Sequence, residues 1–363
     1  MVTWRLNAEC YILRIQVLTV SVVIPVRNGA RLLRSCLEAI ELSKSAVREC
    51  IVVDDHSSDG SRAVAQAAGA VVLQTRSTLG PAAARNLGAA YASGDLFVFL
   101  DADVCVLADT LQRIRARFED EPTLDALFGS YDAEPAAPGL VSQYKNLLQH
   151  YVHQHGRTES ETFWSGCGAV RSSVFRASGG FDERYTRPSI EDIDLGYRLK
   201  AAGCRIALDP GIQVRHLKKW RLGGLLYSDI FDRALPWTWL IVRSRRLPDD
   251  LNLSVSQRVT SVSIVGAVAL SISGLVAGTP LILTLPPLAL VIFLNRHFFR
   301  FLAAKRGRLF LTAVLPLHLV YYLYSLLSFV AGTAFYWAAN CGGTEEVPPA
   351  SSKALVQPGR PDV

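Results

Sequence analysis

A chain of 363 residues has room for two or three domains, and half of its residues are hydrophobic. The net charge of +6 comes from basic residues clustered near long apolar stretches, which favours a membrane surface over nucleic acid as partner. The seven cysteines (10, 36, 50, 105, 167, 204 and 341) show neither zinc-site nor disulfide spacing, which suits a reducing cytosol.

The opening residues MVTWRLNAECYILRIQVL lack a continuous apolar core and a small-residue cleavage site, so they do not read as a signal peptide. Residues 1–18 are expected to be a poorly ordered extension. Thr19–Val26 reads as the first strand, with Pro25 at its exit where it breaks no central ladder. Arg27-Asn28-Gly29 turns the chain, and Leu32, Leu33, Cys36, Leu37 and Ile40 recur at helical spacing. Cys50–Val53 is a second strand ending in Asp54-Asp55-His56-Ser57-Ser58-Asp59-Gly60. A helix over Ser61–Ala68, a strand over Ala70–Leu73 and a helix from Pro81 through Arg85 to Ala92 follow; proline suits a first helical turn.

Gly94–Val106, GDLFVFLDADVCV, organises the domain. Leu96–Leu100 is an apolar run of the kind buried on both sheet faces. It stops at Asp101-Ala102-Asp103, and two carboxylates at the end of a buried strand carry a desolvation cost that a divalent cation relieves. In extended chain, i and i+2 point the same way, so both acids can face one Mg²⁺ or Mn²⁺. Alternatively they cap the following turn.

Strand–helix alternation gives an α/β fold with a mostly parallel sheet, in which ligands bind outside the carboxyl ends of the strands. Pro25–Asn28, Asp54–Asp59 and Asp101–Asp103 all fall there. Without a Gly-rich dinucleotide motif or a P-loop, this points towards a nucleotide-sugar held through a metal on its phosphates.

Leu107–Phe118 reads as a helix, Ala126–Tyr131 as a strand and Leu140–His155 as a helix on the acceptor side. His150, His153 and His155 lack the carboxylate or cysteine company of a metal site. Phe163–Arg171 reads as a strand with small central residues, Ser172–Ser178 as a short helix, and Glu191 to Gly203 as a helix. The acids opening that helix either complement its dipole or supply a general base. Arg205–Asp209 and Gln213–His216 read as two short strands.

Taken together, VSVVIPVRN, IVVDDHSSDGS, GPAAARNLG, FLDADV, GGFDE, EDIDLGYRL and His216 resemble the family 2 glycosyltransferases of the GT-A fold, over roughly Thr19 to His216. The resemblance implies that Pro25, Asn28, Asp54 and Asp55 surround the nucleotide base and ribose. It implies that Arg85 contacts the nucleotide, that Asp101 binds ribose or a metal-bound water, and that Asp103 ligates Mg²⁺ or Mn²⁺. His216 would join the metal or the diphosphate. Asp192 would deprotonate the acceptor hydroxyl, with Glu191 as the runner-up. Trp164, Gly166 and Gly168 would border sugar and acceptor. The Gln-x-x-Arg-Trp motif of processive synthases is absent, and Lys218-Lys219-Trp220 occupies a similar region. Transfer of one or a few sugars is therefore expected.

The expected organisation is an extension (1–18), a GT-A domain (19–220), an interfacial segment (221–258), about three transmembrane helices (259–338) and a disordered tail (339–363). In the interfacial segment Trp237 and Trp239 suit headgroup depth; a helix packed on the soluble domain is the alternative. Val259–Gly278, Leu281–Phe299 (kinked by Pro286-Pro287) and Leu311–Ala338 are long enough to span. The connection Asn295–Arg308 reads as a basic loop and the positive-inside rule places it in the cytosol, with the catalytic domain on the same side of the cell membrane.

These features predict a membrane-anchored, inverting transferase that moves a sugar from a nucleotide-diphospho-sugar to a lipid-linked or membrane-proximal acceptor, with no nucleic-acid partner. A polyprenyl-phosphate glycosyltransferase and a non-catalytic membrane scaffold are the alternatives. A nucleotidyltransferase is disfavoured by the EDIDL and GGFDE segments.

Overall fold

The computed structural model describes residues 17–43 and 47–341. The extension expected over 1–18 and the tail expected over 339–363 lie almost wholly outside the described residues.

In chain order the first domain comprises β1 (Val20–Val26), α1 (Ala30–Leu42), β2 (Val47–Asp54), α2 (Ser61–Ala67), β3 (Val71–Gln74), α3 (Pro81–Tyr91) and β4 (Leu96–Leu100). Then come β5 (Val104–Val106), α4 (Thr110–Asp120), β6 (Ala126–Tyr131), α5 (Leu140–Gln154), β7 (Cys167–Arg171), α6 (Ser172–Ala177), α7 (Glu191–Ala201) and β8 (Ile206–His216). The strands form one mixed sheet in the order β3-β2-β1-β4-β7-β6-β8-β5. The first four are mutually parallel. β7 runs antiparallel to both β4 and β6, β8 is parallel to β6 and β5 antiparallel to β8.

The sheet is covered on both faces, as the unbroken apolar strands require. Val20, Val22 and Ile24 of β1 and Leu96, Val98 and Leu100 of β4 pack towards α1 and α4. Val23, Phe97 and Phe99 face the other way, against α3, α6 and α7. Phe99 meets Phe175 and Phe181 at ring-centroid distances of 5.1 and 5.0 Å, a geometry that adds to area burial.

Three local readings change. Only Cys167–Arg171 of the expected strand Phe163–Arg171 joins the ladder, because the Ser165 N–H is given to Asp192 instead. The two short strands over 205–216 are one strand, with a register irregularity opposite Phe128–Ser130. Val104–Val106, expected only as an apolar continuation, forms its own strand.

After β8 come α8 (Leu222–Tyr227), a π-helical turn (Ser228–Ala234), α9 (Leu235–Ser244), and the long helices α10 (Val255–Ala277), α11 (Leu285–Arg306) and α12 (Arg308–Cys341). The last three are long and apolar enough to cross a membrane. The expected basic loop Asn295–Arg308 is helical up to Arg306 and turns at Gly307, with φ +87°. Arg and Lys are good helix formers, so charge alone does not end the helix. Nor do Pro286 and Pro287 kink a span: they stand in the first turn of α11, where a missing N–H costs nothing.

The helices dock on the first domain through α5. Tyr144, Leu147, Leu148 and Val152 pack against Phe298, Leu302 and Val314. The Tyr144 hydroxyl and His318 Nδ1 lie 2.9 Å apart, and the Asn295 amide oxygen accepts from the Tyr322 hydroxyl at 2.8 Å. Trp237 and Trp239 spend their indole N–H groups inside the protein, on the Tyr197 hydroxyl and the Gly332 carbonyl.

Candidate active site

The carboxyl ends of β1, β2, β4, β6 and β8 gather most of the residues singled out by sequence. Pro25 lies in β1 beside Val53 of β2. Asn28 adopts φ +52°, a conformation asparagine tolerates, and its side-chain oxygen accepts the Ser58 N–H at 2.8 Å. Asp54 accepts the Ser57 N–H at 3.0 Å. Asp55 is buried and uses both oxygens on the loop before α3, accepting from Leu79 N–H at 2.8 Å, Thr75 Oγ1 at 3.0 Å and Gly80 N–H at 3.0 Å. Gly80 holds φ +93°, and a Cβ there would collide with the Thr186 backbone. Asp55 thus fixes the entry to α3.

Arg85 of α3 is 4% exposed and joins two acids from distant elements: Asp101 Oδ1 at 2.7 Å and Glu191 Oε1 at 2.8 Å. Asp101 and Asp103 do not lie on one extended strand. Ala102 and Asp103 form a turn, closed by Val104 N–H on the Asp101 carbonyl at 3.2 Å. Asp101 therefore faces Arg85, while Asp103 faces His216. The β5–β8 ladder pairs Val104 directly with His216, leaving His216 Nε2 3.7 Å from Asp103 Oδ2. Burial pushes the Asp101 carboxyl up, against the pull of Arg85 and with help from Asp103. Burial also acts on Asp103, but the nearby His216 imidazole and the Lys218 charge hold its carboxyl below the usual carboxylate range.

The acid pair at the start of α7 divides. Glu191 is buried, with Oε1 on Arg85 and Oε2 accepting the Ser189 N–H at 2.9 Å. Asp192 is half-buried and is held by Ser165, whose N–H and hydroxyl lie 3.0 and 3.1 Å from Oδ2. Burial first, then the Glu191 charge, raises the Asp192 carboxyl to about 6. A carboxyl tuned in that direction is suited to proton transfer near neutral pH.

Tyr131, at the carboxyl end of β6, connects the two sides. Its ring stacks on His216 at 4.4 Å and meets Trp164 edge-on at 4.9 Å. Trp164 precedes Ser165, so Asp103, His216, Tyr131, Trp164, Ser165 and Asp192 form one continuous wall. Gly166 and Gly168 are small because of it: a Cβ on Gly166 would strike the Trp164 indole, and one on Gly168 the Trp164 carbonyl and the Phe163 ring. Sequence reading missed Tyr131, although its place at a strand's carboxyl end was a usable signal.

His153 has its ring nitrogens on the Gly129 carbonyl and the Gln149 amide. Among the described residues no group of three or more His, Cys, Asp or Glu side chains is arranged to hold a metal ion. The partly exposed Asp103 and the buried His216 are an oxygen–nitrogen pair, which fits a Mg²⁺ or Mn²⁺ site completed by substrate phosphates and water rather than an all-protein cage.

Residues 21–178 match the family described as Glycosyl transferase family 2. The chain belongs to this family. The family 2 match ends before α7 and His216. A pre-mycofactocin glycosyltransferase of Mycobacterium tuberculosis is 35% identical over 215 residues, 54% of this chain and 42% of that protein. This family member therefore spans less than half the length of that relative. An uncharacterized protein of the same species is 34% identical over 245 residues, 61% of this chain and 76% of that protein. A mannosyltransferase from Pyrobaculum calidifontis, solved with GDP-Man and Mn²⁺, superposes with a TM-score of 0.52 at 17% identity, over 88% of this chain and 86% of its own. That likeness is one of fold: a GT-A-like domain followed by helices.

Proposed function

We propose that this family 2 protein is a membrane-anchored, metal-dependent, inverting glycosyltransferase, which moves a sugar from a nucleotide-diphospho-sugar to a hydroxyl of a lipid-linked or membrane-proximal acceptor. The observation that carries the reading is the wall from Asp103 and His216 through Tyr131 and Trp164 to Ser165 and Asp192. It sets a candidate donor-phosphate site and a carboxylate of raised pKa on one cleft.

In this mechanism Asp103 and His216 would hold a divalent ion, and Asn28, Asp54 and Asp55 would shape the nucleotide end. Such an ion offsets the negative charge that gathers on the departing nucleoside diphosphate. Asp192 accepts the proton of the attacking hydroxyl, a poor nucleophile until that proton leaves. Ser165 holds Asp192 Oδ2 and the Ile193 N–H lies 2.8 Å from Oδ1, which keeps a second lone pair for the acceptor proton. Glu191 and Arg85 position the start of α7. Attack opposite the leaving group inverts the anomeric carbon. Arg306 at the basic turn bonds Gln143, Ala133 and Glu134 of the GT-A domain. This supports a cytosolic catalytic domain under the positive-inside rule.

The test is donor hydrolysis and thermal stabilisation of the detergent-purified chain with UDP-, GDP- and dTDP-sugars, with and without Mn²⁺ or Mg²⁺. A metal-dependent response to one donor, lost in Asp103→Asn, is expected. No response to any donor would favour the scaffold reading.

A further inference from the structure

The π-helical turn Ser228–Ala234 is tied down on two sides. Its Asp229 accepts from Lys145 Nζ of α5 at 2.6 Å and from the Tyr324 hydroxyl of α12 at 2.7 Å. Its Asp232 pairs with Arg187 at 3.0 Å, and the Asp232 carbonyl accepts the Ser189 hydroxyl at 2.6 Å. Ser189 in turn gives its N–H to Glu191. The turn therefore bridges the apolar helices and the loop that delivers Asp192. Insertions of this kind in helices recur at functional sites.

One charged residue of this anchored turn is left over. Arg233 makes no hydrogen bond and no ion pair among the described residues, and its side chain is open to solvent. The protein packed around its guanidinium opposes the charge, which Asp229, Asp192, Tyr131 and Glu191 sustain, in that order. Lys145 stands near enough for its charge and that of Arg233 to oppose each other. Of these groups Asp229 is already occupied by Lys145 and Tyr324, Glu191 by Arg85, and one Asp192 oxygen by Ser165. What remains is a guanidinium fork without a partner among the described residues, on a turn joined to α12 through Asp229 and Tyr324 and to the loop that delivers Asp192 through Asp232 and Ser189.

We infer that Arg233 receives an oxyanion, phosphate or carboxylate, carried by the acceptor beside the hydroxyl that takes the sugar. The inference rests on the transferase reading above and adds the acceptor's chemistry to it: an anionic amphiphile. A guanidinium matches a planar carboxylate or a phosphate face with two parallel hydrogen bonds, a geometry lysine does not reproduce.

The test uses the full chain in neutral detergent with farnesyl phosphate, farnesoic acid and farnesol as probes, and UDP or GDP with Mn²⁺ as a separate titration. The wild type should bind an anionic probe at least about ten-fold more tightly than farnesol. Arg233→Gln should weaken that probe roughly 10- to 100-fold, Arg233→Lys should restore part of the loss, and nucleoside diphosphate binding should persist in both. The better of the two anionic probes identifies the headgroup. Equal binding of farnesol and both anions by the wild type, or an unchanged anion affinity in Arg233→Gln, overturns the inference. So does a loss confined to the nucleoside diphosphate, which would assign Arg233 to the donor. If the wild type binds no nucleoside diphosphate with Mn²⁺, it is the transferase reading that falls, whatever the probes show.

Discussion

Arg85 and Glu191 lie 106 residues apart in sequence and 2.8 Å apart in space. This ion pair ties the middle of α3 to the start of α7, and the second guanidinium nitrogen holds Asp101 at 2.7 Å. Removing one partner of a buried pair leaves the other charge uncompensated, at a cost of about 3–5 kcal/mol. Because Asp101 is 34% exposed, the lower end applies, and Arg85→Met should destabilise the domain by about 3 kcal/mol. Arg85→Lys should fall between, since an ammonium cannot serve two carboxylates in fixed directions. Denaturant midpoints of the three proteins check this; a wild-type midpoint for Arg85→Met would refute it.

Asp192 and Glu191 are neighbours with different occupations, and pH separates them. With its carboxyl raised to about 6, Asp192 is a competent base only above that pH. The acidic limb of kcat/KM should bend near pH 6 and fall about ten-fold per unit below it. Asp192→Asn should lower kcat by about 10²–10⁴-fold while donor binding persists. The linkage has a definite sign. The fold raises this pKa from 3.8 to about 6, so the contribution of Asp192 to stability is present below the lower value and lost as pH rises through the upper one. At pH 8 the Asn variant should therefore melt no lower than wild type. An activity profile flat down to pH 5 would remove Asp192 from the base role.

Much of this site was legible because it depends on short-range chemistry. The buried run Leu96–Leu100 marked a central strand, and the acids after it marked the site's edge. What depends on pairing across the chain was not. Asp103 and His216 meet only because Val104–Val106 pairs with the end of β8. The same-side argument for Asp101 and Asp103 failed where a turn replaced extended chain. Arg85 reads in sequence as a ligand contact, and only the fold brings it to Glu191. The basic stretch Asn295–Arg308 was misjudged as a loop because composition reports solvation more directly than backbone conformation.

Gly166→Ala tests the wall itself. A Cβ there has no room beside the Trp164 indole, and Trp164 cannot move without disturbing its contacts with Tyr131 and His153. Overpacking of this kind costs about 1–3 kcal/mol. Transfer activity should drop more than stability does, because the displaced ring lies between His216 and Asp192. Adding Trp164→Phe should recover part of both. Full activity in the single variant would show that the ring does not border the reacting groups.

The orientation of the helices follows from what Arg306 touches. It donates to Gln143 at 2.8 Å, to the Ala133 carbonyl at 3.1 Å and to Glu134 at 3.1 Å, so the turn between α11 and α12 stands on the GT-A domain. The link over residues 278–280, between α10 and α11, lies at the other end of a helix of 22 residues, about 33 Å away at 1.5 Å per residue, which matches a bilayer's hydrocarbon core. Lys305→Cys should react with a membrane-impermeant maleimide from the cytosolic face of sealed vesicles, and Thr279→Cys from the opposite face, each judged against the unsubstituted chain. The basic residues Arg296, Arg300, Lys305, Arg306 and Arg308 would then lie towards the cytosol, with the long stems of Arg296 and Arg300 carrying their charges to the interface. Labelling of both positions from one face would mean that α11 does not cross the membrane. The acceptor would then reach Asp192 by a route other than the bilayer, and Leu285, Leu290, Ile292 and Phe293 would be left as an exposed apolar face.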